Sequence, residues 1–170
     1  MSLCTTAARL VAVAACGGAA VLSSTANSAA APSGKLMEML PPGFSSANCV
    51  EKQASGPAVE RVTCDQNSDT SGPSYALFLL YANSSDLASE FKTGPAAGGY
   101  KVSSTCPGGK GSPADWSEGS SQTAGQVECA VSSEGYPTVI WSDTSKLRVG
   151  VLEGKGQTID SLFKWWSEKA

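Results

Sequence analysis

The side chains that could do chemistry in this 170-residue chain are marked first by a gap, because it contains no histidine. Without imidazole there is no Ser-His-Asp or Cys-His site, no HExxH zinc protease and no His-rich metal centre. Two local patterns come nearer to a site. Asp65, Asn67 and Asp69 have the alternating oxygen ligands that open an EF-hand calcium loop. The sixth position, however, holds Thr70 where glycine makes the sharp turn, and the twelfth holds Ala76 where a bidentate glutamate belongs. A polar turn is the expected outcome. Cys106-Pro-Gly-Gly-Lys-Gly-Ser-Pro113 has the glycine density of a phosphate cradle, but Lys110 is followed by Gly111 and not by Ser or Thr, so the Walker pattern is absent. A tight loop anchored by a disulfide is expected there. No serine stands in G-x-S-x-G. With 15 Asp and Glu in the chain, a close acidic pair such as Asp115 with Glu118 carries little weight as glycosidase machinery. No cofactor, no metal and no enzymatic activity are expected.

Six cysteines remain. Cys4 and Cys16 lie in an amino-terminal stretch that reads as an export signal. It has one basic residue, Arg9, then an apolar run of about 13 residues from Leu10 to Val21 and Leu22, then small residues ending Ser28-Ala-Ala-Ala31. That run is short of the ~20 residues that span a bilayer, so it predicts a signal core and not a membrane anchor, and no later segment offers a transmembrane helix. Cleavage after Ala31 satisfies the A-x-A preference and leaves a net charge near −4, since Arg9 alone among the charged residues is lost from 12 Lys and Arg against 15 Asp and Glu. An alternative lies inside the same segment. Val13-Ala14-Ala15-Cys16 resembles a lipobox, in which Cys16 would be acylated and residues 17–35 would form a flexible tether.

The other four cysteines, Cys49, Cys64, Cys106 and Cys129, form an even set in an exported chain and predict two disulfides. Three pairings are open to four cysteines. Cys49 with Cys64 and Cys106 with Cys129 is preferred, because each pair staples one local excursion. The spacings contain no C-x2-C knuckle for zinc.

The elements that would position these residues follow from periodicity. Residues 46–52 and 59–65 are strand-like and flank Gln53-Ala-Ser-Gly-Pro57, a hairpin expected to carry the first disulfide. Residues 74–81 are apolar without a break, which predicts a strand buried on both faces at the sheet centre. Asn83-Ser-Ser-Asp86 is a capping pattern, and Leu87 with Phe91 gives the following helix an apolar stripe. A second cysteine approach at 100–106 precedes strands at 125–131, 137–142 and 147–152. A helix opened by Gln157 or Thr158 then carries Ile159, Leu162, Phe163 and Trp166 on one face. The expected fold is α+β, an antiparallel sheet from two β-β-β-α-like halves with helices on one face and two disulfides. The expected organisation is a signal at 1–31, a short linker at 32–39 and one secreted domain at 40–170.

The four tryptophans all lie in the second half. Trp141, in a strand, and Trp166, on the helix stripe, are expected to pack. Trp165 falls about 110° from the centre of that stripe and Trp116 stands in a polar loop, so both are candidates for an exposed surface that stacks on a ligand or anchors a partner.

Cys106-Pro-Gly-Gly, Ser112-Pro113 with Trp116, Gly125-Gln-Val-x-Cys129, Pro137-x-Val-x-Trp141 and Leu162-x-x-Trp165-Trp166 together resemble a module of exported actinobacterial, mycobacterial-type proteins of unknown function. A similar module forms the external carboxy-terminal part of some mycobacterial membrane Ser/Thr kinases. The resemblance implies an extracytoplasmic sensor-like domain and assigns no functional residues. This chain has no kinase lobe. With a net charge of only −3 before processing, a nucleic-acid partner is not expected. The expected function is a non-catalytic binding or sensor-like module of the cell envelope, secreted or lipid-anchored at Cys16, with an envelope ligand or protein as its partner. A small carboxylate-dependent envelope enzyme and a lipid-anchored accessory lipoprotein are the alternatives.

Overall fold

The computed structural model describes residues 34–119 and 122–170. The expected signal at 1–31 and the lipidation candidate Cys16 lie outside these residues. The main sheet is antiparallel throughout. Strands β1 (Cys49–Lys52), β2 (Ala58–Cys64) and β3 (Tyr75–Tyr81) form one meander, and β8 (Gly125–Val131), β9 (Pro137–Asp143) and β10 (Arg148–Glu153) form the other. The meanders join where β3 pairs β10, from Tyr75 opposite Glu153 to Leu80 opposite Arg148. The order is therefore β1-β2-β3-β10-β9-β8, and two short strands share the outer edge of β8: β4 (Lys101–Val102) at its end and β7 (Ala114–Trp116) at its start. Strands β5 (Thr105–Cys106) and β6 (Lys110–Gly111) make a small hairpin across the turn Pro107–Gly109.

Both expected disulfides are present. Cys49 and Cys64 face each other in register across β1 and β2, with Cα atoms 4.0 Å apart, while Cys106–Cys129 ties the β5–β6 excursion back to β8. Loops of 15 and 23 residues are each worth about 3 kcal/mol in the chain-entropy account. The Asp65–Asp69 segment is a turn of side-chain to backbone bonds: Asn67 Nδ2 donates to the Pro42 carbonyl at 3.1 Å, and the Asp69 N–H donates to Asn67 Oδ1 at 2.9 Å.

Three helices complete the fold: α1 (Lys35–Glu38), α2 (Ser84–Ala97) and α3 (Ile159–Lys169). Asn83 caps α2 by accepting from the Asp86 N–H, as the sequence predicts. Thr158 caps α3 in a reciprocal box with Ser161.

The helices do not share a face, which corrects the expected arrangement. In β3, Ala76, Phe78 and Leu80 point to the α3 side, where they meet Trp141, Leu152 and the α3 aromatics. Leu77, Leu79 and Tyr81 point to the other side, where Leu87 and Phe91 of α2 lie over Ile140, Val149 and Val151. Strand residues alternate between faces, so a central strand apolar at every position demands a cover on each side. One helix from each half supplies it.

A second correction concerns residues 35–39, which are part of the fold and not a linker. Leu36 is fully buried, and its N–H donates to Glu60 Oε2 at 2.7 Å. The buried Arg148 guanidinium donates to the Met39 carbonyl, lies 3.8 Å from Asp143, and stands over the Phe78 and Trp141 rings at 5.9 and 5.7 Å. Glycine at Gly150 is what lets this core close, since a Cβ there would stand 2.2 Å from the Trp141 ring.

Candidate functional site

On the α2 side, β3 and β10 place Leu77, Leu79, Val149 and Val151 side by side, with Ile140 of β9 beyond them. Period-2 alternation makes this a continuous aliphatic floor. Helix α2 covers only part of it. Its bulky residues Leu87 and Phe91 are buried against the sheet, whereas Gly94, Ala97 and Gly98 stand over the β2 side and bring no bulk. The result is a groove of ≈ 220 Å³ between helix and sheet, its far wall formed by Ala58 and Arg61 of β2. At Gly94 an added Cβ would stand 2.4 Å from the Glu90 carboxylate tip, so Glu90 lies against the empty position.

The groove has two polar ends of different character. At one, the Tyr100 hydroxyl donates to Glu153 Oε1 at 2.8 Å, and Arg61 lines the wall with its Nε buried and without a hydrogen-bond partner among the described residues. Burial, then the Glu153 bond, pushes the Tyr100 hydroxyl well above its ordinary range. At the other end Tyr81 is 2% exposed and its hydroxyl has no hydrogen-bond partner among the described residues. Burial, then the neighbouring Glu90 carboxylate, raises that hydroxyl too. A buried phenol without a partner is costly and uncommon. Among the described residues that line the groove, Tyr81 shares this with Arg61, whose Nε is also buried without a partner.

The expected surface residues are not brought together. Trp165 is 5% exposed, against 6% for Trp166, so the expectation that it faces outward is corrected. The sheet buries one side of α3, and the segment from Leu36 to Phe44 buries the flank, where Phe44 meets the Trp165 ring edge-on at 6.1 Å. Trp116 is half-buried, its indole N–H donates to the Ser142 carbonyl at 2.9 Å and its ring meets Trp166 edge-on at 5.8 Å. It borders an open polar groove of ≈ 620 Å³ with Asp115, Glu118 and Lys169, on the opposite side of the sheet from α2. Trp141 packs in the core as expected.

Sequence reading passed over Tyr81, which looked like one more core aromatic, and over the α2 spacing Gly94, Ala97, Gly98. Small residues at i, i+3 and i+4 opposite an aliphatic strand were the available signal. Ser89 and Lys92, in S-x-x-K spacing on α2, are both exposed, and neither lines the groove. One further group stands out on the α2 side of β8: Glu128 is 5% exposed, Oε1 has no partner, and burial pushes its carboxyl up to about 7. Among the described residues no cluster of three His, Cys, Asp or Glu could hold a metal ion, and no helix is long and apolar enough to cross a membrane. Comparison with family models, with curated proteins and with solved structures finds no match for this chain.

Proposed function

We propose that the chain is an exported, non-catalytic binding module of the cell envelope and that its ligand occupies the groove between α2 and the sheet. The observation that carries this reading is the Tyr81 hydroxyl, buried without a partner beside an aliphatic cavity. A preformed apolar site with few placed polar groups is the usual form of a small-molecule pocket. The signal-like amino terminus, the paired cysteines and the resemblance to an external sensor-like module supply the envelope context.

The test is small-molecule enrichment. The purified chain and its Gly94→Ile variant, in which a side chain fills the groove, are each incubated with an organic extract of envelope material, re-isolated and analysed by mass spectrometry. The reading predicts one or a few compounds retained by the wild type and lost from the variant. Equal retention by both proteins would contradict it, as would turnover of envelope glycans abolished by a single Asp or Glu substitution.

A further inference from the structure

The walls of the groove carry one charge that nothing in the protein answers, and the inference drawn from it rests on the binding reading above. Arg61 lies half-buried on β2, with Leu79 of the floor opposite it on one side and Lys52 of the edge strand β1 opposite it on the other. Its Nε is buried without a hydrogen-bond partner, and the guanidinium makes no ion pair among the described residues. A guanidinium is charged at every working pH and its N–H groups only donate, so burial without an acceptor is costly.

The head of the ligand follows from that group. An ammonium would add a third cation beside Arg61 and Lys52, and a hydroxyl would accept from Nε without answering the charge. A carboxylate does both, because its two oxygens match the planar guanidinium fork. The other groups of the groove do not ask for a cation in the same way. The Tyr81 hydroxyl is neutral, both donor and acceptor, and selects no charge. Glu90 on the α2 wall and Glu153, which accepts from Tyr100, have no buried oxygen without a partner. These two acids limit the head to a single negative charge, since a dianionic phosphate would meet more repulsion from them. The floor of Leu77, Leu79, Val149 and Val151 has no polar side chain, so the part of the ligand that lies on it is hydrocarbon. A 150 Å³ protein cavity holds benzene, and ≈ 220 Å³ accommodates roughly nine carbon-sized atoms in proportion. We infer that the groove selects a small amphiphilic carboxylate, with its head on the Arg61 guanidinium and a body of roughly nine atoms or fewer along the β3–β10 floor.

The experiment is calorimetric titration of the purified chain at pH 7 with three probes of matched length, octanoate, 1-octanol and n-octylamine, each below its aggregation concentration. Saturable binding of octanoate, about tenfold or more tighter than the alcohol, is expected, with the amine weakest. Arg61→Gln should bring octanoate to the level of the alcohol and leave the alcohol unchanged, which also shows that the variant keeps the groove. Gly94→Ile should abolish binding of all three. If the alcohol or the amine binds as tightly as octanoate, or Arg61→Gln leaves octanoate unchanged, the carboxylate inference is overturned and the groove reading stands. Loss of the alcohol together with octanoate in Arg61→Gln would make Arg61 part of the groove's frame and not its head site, and overturns the inference as well. If no probe binds the wild type, or if Gly94→Ile leaves binding intact, the groove reading fails with it.

Discussion

The two faces of the sheet are built to different standards. Under α3, four tryptophans and three phenylalanines interlock with ring centroids 5.1 to 6.3 Å apart, and a buried arginine is held by a carboxylate, a carbonyl and two rings. Under α2, aliphatic residues leave ≈ 220 Å³ open between helix and sheet. Buried polar atoms without a partner occur on both faces: the indole N–H groups of Trp141, Trp165 and Trp166 under α3, and the Tyr81 hydroxyl and a Glu128 oxygen under α2. Close packing in low-energy geometry is how a domain gains stability, and departures from it are concentrated where a protein binds something. The difference between the faces is one of packing, with interlocked aromatic rings under α3 and an aliphatic, partly covered floor under α2.

The comparison breaks most readily at the tryptophans. Trp165→Ala and Trp166→Ala should each cost ~3–5 kcal/mol, because both are large core rings with helix, sheet and amino-terminal segment around them. Urea melts of the two variants check this, and a near-neutral Trp165→Ala would mean that the Leu36–Phe44 segment does not cover α3. Arg148→Ala comes next, at about 3 kcal/mol, since it empties a fully buried site between the Phe78 and Trp141 rings, releases the Met39 carbonyl and leaves Asp143 with Lys146 as its remaining counter-charge. Asp143 feels burial first, which raises its carboxyl, but bonds from Ser145 and Lys146 outweigh that and hold it below the ordinary range. It stays charged when its arginine is gone.

On the α2 face the expected effects are smaller and have the opposite sign. Glu128 binds a proton more tightly in the folded chain, at about 7, than the ordinary 4.5. Its contribution is therefore fully present below pH 4.5 and is lost as pH rises through 7, amounting to about 3 kcal/mol at most. Glu128→Gln should flatten that pH dependence between pH 5 and 8 and stabilise the protein at pH 8. Denaturant midpoints at the two pH values decide it, and an unchanged slope would mean that Glu128 is solvated. Smallest of all, Tyr81→Phe and Gly94→Ile should leave stability within about 0.5 kcal/mol of wild type or raise it. A large loss in either would make the groove structural.

Much of this contrast was legible from residue patterns, within limits that have physical causes. Strand and helix positions followed from period-2 and period-3.6 alternation, and the disulfide pairing followed from locality, because Cys49 and Cys64 flank one hairpin. The helix placement did not follow from the apparent duplication. Reading residues 74–81 as apolar on both faces already required a cover on each side, and that local signal was the better guide. Trp165 was misplaced because the helical stripe counts one neighbour, the sheet, whereas a segment more than a hundred residues earlier in the chain buries the flank. The groove was least legible. It arises from what Gly94, Ala97 and Gly98 omit, and an omission has meaning only once the opposing strands are in place.

The most direct measurement is a methyl and indole NMR map of the chain titrated with 1-octanol, an uncharged apolar probe. Saturable shifts of the Leu77, Leu79, Val149 and Val151 methyls are predicted, with the indole N–H signals of Trp116, Trp141 and Trp166 unmoved on the far side of the sheet. Shifts centred on the Trp116 indole, with the α2-face methyls silent, would contradict the division of labour between the two faces.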